Sequence, residues 1–415
     1  METLFQRVAG LDVHKKTIVV CLRMVSAEGK VQEETRTFGT MTDDLLAMLD
    51  WLVAQQVTHV AMESTGVLWK PVWNLLEGHA FQLLLVNAKE LKQVPGRKSD
   101  VKDAQWIAHL AGCGLLKSSF VPERGQRDLR DLTRYRAQLQ GEHTRCANRI
   151  HKVLQDANIK LSSVASDVLG VSGRDMLAAL VHGVDDPASL AEMARGTLRK
   201  KIPDLKRALR GHVTPHHQFL LDQLLDHLLH LEEQLARLSE RIAEALGPFV
   251  DAATFERLDR IPGVNRDTIE NVVAEIGTQM SRFPTDEHLA SWAGMCPGNE
   301  ESAGKRKRSR TTKGNKWLRR ALAESAWAAG RTKDTYFQAQ YSRLASRRGR
   351  KRAILAVGHS LLTVIYHLLK NPNLEYQELG GDYFDKLDPI RLRRHLVKRL
   401  ESLGFAVTLV ERTAA

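Results

Sequence analysis

Four carboxylates constrain this chain most: Asp12, Glu63, Asp100 and Asp103 each fall where a regular element should end or begin. Asp12 lies in the apolar run Val8-Ala9-Gly10-Leu11-Asp12-Val13, which reads as a strand. Glu63 closes a second such run, Thr58-His59-Val60-Ala61-Met62-Glu63, and the turn residues Ser64, Thr65 and Gly66 follow at once. Asp100 and Asp103 are three apart in Ser99-Asp100-Val101-Lys102-Asp103-Ala104-Gln105-Trp106-Ile107-Ala108, whose spacing predicts a helix. Residues i and i+3 share a helix face, so both carboxylates can point at one site. Four converging anions repel one another unless a cation sits among them. Hard oxygen donors with no neighbouring Cys or paired His point to Mg²⁺ or Mn²⁺ and away from zinc. Taken singly, each acid has a plainer reading as a solvated turn residue or, with Ser99, a helix cap. Asp12 is the exception, because an acid inside an apolar strand is costly to bury without a partner.

At 415 residues the chain exceeds one ordinary core, and two or three domains are expected. Cys21, Cys113, Cys146 and Cys296 show no C-x-x-C spacing, which argues against a zinc site or disulfide framework and fits a reducing compartment. Asp12 and Lys15-Lys16 interrupt any early apolar stretch, so no signal peptide is expected. The longest apolar segment, Ala353 to Leu369, contains Gly358, His359 and His367 and is short for a membrane span, so it reads as a buried helix. Of the net charge of +12, residues 251–370 hold +10, with 22 Lys and Arg against 12 Asp and Glu. Residues 1–118 hold 13 of each sign, residues 119–250 hold 19 against 17, and residues 371–415 hold seven of each. A polyanion-binding surface therefore belongs in 251–370, apart from the acid cluster.

The first block reads as strands over 6–13, 17–24 and 31–38 and a helix over 42–55 with Thr42 and Asp43 as cap candidates. The strand ending at Glu63, a helix over 67–78, a strand over 81–86 and the helix from Ser99 complete it. Three hairpin-connected strands followed by alternating helices and strands match the ribonuclease H-like fold, in which the first strand, the fourth strand and the last helix converge. The four acids occupy those elements. A helical region follows. Leu129, Leu132, Leu139, Cys146, Ile150 and Val153 keep a heptad rhythm with Arg136 and His143 in two slots. Leu221, Leu224, Leu228, Leu231, Leu235, Leu238, Ile242 and Ala245 keep it without a miss, predicting a coiled-coil seam that pairs between chains or folds back within one. Residues 158–215 look like shorter helices or an insertion.

The C-terminal block opens with Ile261-Pro262-Gly263-Val264 before a helical pattern from Thr268 to Ile276, similar to a helix-hairpin-helix turn that can take a phosphate. Lys305, Arg306, Lys307, Arg308, Arg310, Lys313, Lys316, Arg319 and Arg320 put nine basic residues into sixteen without an acid. A second cluster holds Arg343, Arg347, Arg348, Arg350, Lys351 and Arg352. A charge run is usually a solvated face. These alternate with ordered-looking helices, which favours phosphate contacts on a folded domain.

Gly10-Leu11-Asp12-Val13-His14-Lys15-Lys16, Met62-Glu63-Ser64-Thr65-Gly66 and Lys98-Ser99-Asp100-Val101-Lys102-Asp103-Ala104 form one ordered set. Ile261-Pro262-Gly263-Val264, Trp292-Ala293-Gly294-Met295-Cys296-Pro297, Glu301-Ser302 and Lys313-Gly314-Asn315 with Leu318-Arg319-Arg320 form another. Together, over residues 7–115 and 255–330, they resemble the DEDD-type transposases of bacterial insertion sequences, the RNA-guided, bridge-RNA recombinases.

The resemblance implies a RuvC-like catalytic domain over 1–118, a helical coiled-coil region with an insertion over 119–250, and a mainly α, basic, serine-bearing transposase domain over 251–370. Residues 371–415 would be an extension. It implies Mg²⁺ (or Mn²⁺) on the four acids and a nucleophilic serine, matched by Ser302, that joins a DNA 5′-phosphate. Implied partners are donor and target DNA, a structured non-coding guide RNA and further copies of the chain, as a dimer or tetramer. A cytoplasmic, nucleoid-associated location without a membrane partner goes with these. Two departures stand out: Ala303 follows the serine where the family commonly has Gly, and Ser99 replaces a usual Thr. Two other readings predict different chemistry. A resolvase-like nuclease or carboxylate-only transposase would work without Ser302, and a non-catalytic nucleic-acid-binding protein would cut nothing.

Overall fold

A computed structural model describes residues 3–26, 28–64, 66–87, 100–297, 300–302, 305–308 and 311–410, excluding the side chains of 100–102, 300–302 and 305–308. Lys98, Ser99, Ala303, Gly304 and Arg310 lie outside the described residues. The chain divides into two compact units, Met1–Pro122 and Glu123–Ala415.

The first unit is built on β1 (Arg7–Val13), β2 (Thr17–Val25), β3 (Val31–Gly39), α1 (Thr42–Ala54), β4 (His59–Glu63), α2 (Trp69–Leu76), β5 (Gln82–Val86) and α3 (Asp100–Gly112). The five strands form one sheet in the order β3-β2-β1-β4-β5. β1 pairs antiparallel with β2 and parallel with β4, and β5 runs parallel to β4. This mixed α/β arrangement is consistent with the expected ribonuclease H-like fold. Alternation decides the faces. Ala9, Leu11, Val13, Val60, Met62 and Leu85 pack with Met48, Leu52, Trp73 and Leu76 of α1 and α2. Val8 and Ala61 pack instead on Ile107 and Ala111 of α3, and Val19 and Cys21 on Ala104 and Ala108. The start of α1 differs from expectation. Met41 is the N-cap and makes no side-chain bond, while Asp43 and Asp44 sit in the first turn, where the helix dipole favours them.

The second unit begins with α4 (Arg124–Asp156), followed by α5 (Val171–Val181), α6 (Pro187–Glu192), α7 (Ile202–Ala208) and α8 (Pro215–Leu246). α4 and α8 form an antiparallel hairpin within the chain. His143 Nε2 lies 3.0 Å from Glu232 Oε1, the Cys146 thiol donates to Leu224 O at 3.3 Å, and His217 Nε2 is 2.9 Å from Asp156 Oδ2. The regular leucine pattern is thus filled from inside the chain: Leu221, Leu228 and Leu231 join the core at the hairpin tip, and Ile242 joins the core at its base. The segment between the two helices folds as the short α5, α6 and α7, which pack Met176, Leu177, Leu190 and Leu205 against that tip.

Around the hairpin base lie α9 (Ala252–Asp259), α10 (Arg266–Ile276), α11 (Asp286–Ala293), the two-stranded β6 (Glu300–Ser302) and β7 (Lys305–Arg308), α12 (Lys316–Ala329), α13 (Tyr336–Arg348) and α14 (Arg350–Lys370). α14 is long and apolar enough to cross a membrane, yet Ile354, Val357, Leu361, Leu362 and Ile365 place it in the core, as a buried helix should be. α15 (Tyr383–Leu387) and α16 (Pro389–Glu401) are the last helices of the described residues.

Candidate active site

Asp12 and Glu63 end neighbouring parallel strands. The last pair in the β1–β4 register is Leu11↔Met62, so the two acids sit side by side one residue further on. Both belong to the face covered by α3, because the alternating neighbours Val8 and Ala61 pack on that helix. Gly10 explains how close α3 comes. A Cβ there would collide with Ala104 O and Ala108 N and lie 2.9 Å from Ala108 Cα, so helix backbone rests on strand backbone. α3 runs opposite to β1, since Gly112 O accepts from the amides of Leu4 (2.8 Å) and Phe5 (3.1 Å). From Gly10 to Asp12 is two strand residues, about 6.6 Å, which corresponds to about four helix residues back from Ala104–Ala108. That lands on the first turn of α3, between Asp100 and Asp103.

Asp12 is 13% exposed in its side chain, and His14 Nε2 lies 3.0 Å from its Oδ2. Spacing did not single out His14, which the structure places against Asp12. The β1–β2 turn folds it back onto the acid, with its amide donating to Thr17 O at 2.9 Å. Cys21 lies directly under α3, where burial pushes its thiol up to about 11. Among the described residues no three His, Cys, Asp or Glu side chains form a metal-holding group. The side chain of Asp100 lies outside the described residues. Asp12 and Glu63 offer carboxylate oxygens, the donor type that suits a hard divalent cation.

Ser302 occupies a short hairpin that the basic composition concealed. β6 and β7 pair antiparallel as Ser302↔Lys305 and Glu301↔Arg306, with an irregularity beside Glu300↔Arg308. The hairpin root is tightly held. Pro297 bridges Thr311, and Gly294, at φ +69°, approaches Gly314 so closely that a Cβ would lie 2.6 Å from its nitrogen. Asn315 caps α12 through Oδ1, which accepts from the amides of Trp317 (3.0 Å) and Leu318 (3.2 Å). Its Nδ2 donates to Glu275 Oε2 at 2.6 Å. Glu275, 1% exposed, also takes a bidentate pair from Arg134 of α4 at 2.7 and 2.8 Å. Arg130 donates to Ala274 O at 2.7 Å, and burial lowers its pKa to about 10 despite the nearby Glu275. Sequence reasoning missed this carboxylate. Its one signal was an acid inside the apolar pattern of α10.

The basic candidates divide. Arg319 is turned inward, donating to Thr311 Oγ1 and Thr312 O at 3.2 Å each. Arg320 reaches Glu324 (2.9 Å) and Ala137 O (3.1 Å), and Lys316 lies over the Trp317 ring. Lys313 is exposed. Lys305, Arg306, Lys307 and Arg308 form β7. Arg347, Arg348, Arg350 and Lys351 are all exposed around Gly349, at the tip between α13 and α14. Gly263, at φ +80°, packs against α12, where a Cβ would lie 2.5 Å from Ser325 O. That contact accounts for the glycine without a phosphate. Asn265 caps the following helix by accepting from the Thr268 amide at 3.0 Å.

Comparison with known proteins agrees with both ends of the chain. Residues 9–159 match the transposase family model for the DEDD transposases of IS110, and residues 255–342 match the Transposase IS116/IS110/IS902 family. The insertion element IS110 uncharacterized 43.6 kDa protein of Streptomyces coelicolor is 26% identical over 306 residues, covering 67% of this chain and 72% of that protein. The two family matches are separate segments of the chain that both name IS110 transposases and together span more than half of the sequence; the chain belongs to the IS110 family of transposases.

Proposed function

We propose that this transposase cuts and rejoins DNA with Asp12, Glu63, Asp100 and Asp103 holding Mg²⁺ or Mn²⁺ and with Ser302 as nucleophile. The observation that carries the metal half is the common face of β1 and β4 under the first turn of α3. When bound there, divalent ions polarise a phosphodiester and favour the departing oxygen. Ser302 Oγ forms a bond to phosphorus as the P–O3′ bond breaks. The serine proton passes to a base and is returned to the departing O3′, so the DNA 3′ end leaves as a hydroxyl and the 5′-phosphate stays on the protein as a phosphodiester of serine. Reversal by another 3′-hydroxyl rejoins strands with no nucleotide cofactor. His14 orients Asp12. The short pairing of β6 with β7 and the Asn315–Glu275–Arg134 chain support Ser302 as a held group.

The exposed basic tip between α13 and α14, with Lys305–Arg308 and Lys313, supplies phosphate contacts to donor and target DNA. A structured guide RNA and assembly into a dimer or tetramer complete the reading. They rest on the family resemblance. The test is a denaturing gel of labelled element-junction DNA incubated with protein, its co-purifying nucleic acid and Mg²⁺. A covalent adduct is expected, lost in Ser302→Ala and in Asp12→Asn. Free cleaved strands made equally by Ser302→Ala would leave the chemistry to the carboxylates alone.

A further inference from the structure

The extension beyond residue 370 has balanced charge in total, but the structure separates its signs. Five of its seven acids lie at or before residue 388, and four of these are engaged. Glu375 pairs with Arg260 at 2.7 Å. Glu378 accepts from the Tyr336 amide and the Tyr376 hydroxyl, each at 2.7 Å. Asp382 pairs with Lys386, and Asp388 Oδ1 caps α16 by accepting from the Arg391 amide at 3.0 Å. The buried Arg257 donates to the carbonyls of Leu368, Asn371 and Leu374, fixing where the extension leaves α14. Tyr383 of α15 then meets Tyr336 of α13 edge-on, and Phe384 stacks on it, at centroid distances of 5.2 and 5.3 Å. The extension is thus a docked strap up to residue 388, and α16 starts from a fixed point.

α16 itself, Pro-Ile-Arg-Leu-Arg-Arg-His-Leu-Val-Lys-Arg-Leu-Glu, has five Lys and Arg, one acid and no buried residue. Arg391, Arg394, His395 and Lys398 follow i, i+3, i+4, i+7 and share a face, with Leu392, Leu396 and Leu400 on another. The strap also ties this helix to the basic tip already described. The Arg343 guanidinium lies 5.3 Å from the Phe384 ring, and Arg347 follows Arg343 by one helical turn.

We infer that the Arg391–Arg394–Lys398 face of α16 is a second, sequence-independent binding surface for the backbone of duplex DNA. It prolongs the footprint of the α13–α14 tip. The helix carries five Lys and Arg against Glu401 alone, the preceding α15 is docked on α13, and the chain is a transposase. A helix of this length spans about 20 Å, long enough to follow several successive phosphates. An amphipathic basic helix also suits an anionic lipid surface or an RNA duplex, so the test must separate the three.

The experiment compares the full-length protein with Arg391→Gln/Arg394→Gln/Lys398→Gln by fluorescence anisotropy on duplex DNA across a salt series. Losing three phosphate contacts should lower the slope of log affinity against log salt by about 2.7, so that from roughly 50 to 200 mM salt the unsubstituted protein loses about 40-fold more affinity than the variant. The thermal unfolding midpoint should not move, because α16 buries nothing. Arg347→Gln/Arg348→Gln/Arg350→Gln, measured alongside, reports the α13–α14 tip separately, so failure there does not count against α16. An unchanged DNA slope overturns the inference. So does a loss confined to duplex RNA or to vesicles of anionic lipid.

Discussion

Replacing Gly10 with Ala tests the core of the metal-site geometry without touching a carboxylate. The added methyl would stand 2.9 Å from Ala108 Cα and closer still to Ala104 O and Ala108 N. Against a carbon contact distance of about 3.5 Å, α3 must lift by about 0.6 Å for the first atom and closer to 1 Å for the other two. Overpacking of this kind costs about 1–3 kcal/mol. The lift acts at the turn that carries Asp103, while Asp12 and Glu63 stay with the sheet. A misplacement near 1 Å can cost on the order of 10²-fold in rate when groups must converge. A chain of two units gives no single unfolding free energy, so the readouts should be local. Cys21 serves as one, being fully buried under Ala104 and Ala108 with its pKa raised to about 11. In Gly10→Ala its alkylation, followed by peptide mass spectrometry, should quicken together with hydrogen exchange along α3, and DNA cleavage should fall. If Cys21 stays as protected as in the unsubstituted protein and cleavage is unchanged, α3 does not rest on β1. Nothing then brings the four acids to one place.

Glu275→Ala should lower the thermal midpoint of the second unit, because Arg134 and Arg130 lose their buried partner; breaking such a pair costs about 3–5 kcal/mol, and an unmoved midpoint would refute the pairing. The same substitution should raise hydrogen exchange around residues 311–318, where Asn315 loses its anchor. Acid should loosen the hairpin tip. The Arg174 guanidinium, and after it His143, hold Glu232 down to about 2 from an ordinary 4.5. A depressed carboxylate contributes stability in full above its unfolded pKa, and that contribution drains away as pH falls from about 4.5 towards 2. With Glu232 about a third exposed, solvent keeps the effect small. Exchange at Arg174 and its neighbours should therefore rise over that window and lose this pH dependence in Arg174→Gln.

The first unit was largely legible because its signals are local and redundant. Strands expected at 6–13, 17–24 and 31–38 occur at 7–13, 17–25 and 31–39, since β-branched alternation and short turns leave little freedom in register. The placement of Asp12 and Glu63 followed from the same alternation. The serine hairpin was not legible. Glu300 to Arg308 has no apolar alternation, so nothing in composition separates a strand pair from a solvated loop. What defines it lies outside it: the Gly294–Gly314 approach, the Pro297–Thr311 bridge and Glu275, forty residues before the Asn315 it anchors.

The polar interruptions of the heptad pattern carry the most structural information in the second unit. Arg136, read as an imperfect core residue, is 2% exposed and pairs with Glu270 of α10, itself 1% exposed and bonded to Arg266 at 3.1 Å. His143 meets Glu232 of α8. An apolar seam along α4 could bind α10 and α8 at more than one register with similar energy, whereas a buried charge accepts one register, since any slip leaves it unpaired. Arg134 is two residues from Arg136 on that helix, and it reaches the Asn315 cap through Glu275. The register fixed by Arg136–Glu270 is therefore the register at which α12 begins and the Ser302 hairpin is rooted. Leucines at those positions would keep the helices together and release the hairpin from its position. The defects in the repeat are where α4 specifies the position of the Ser302 hairpin.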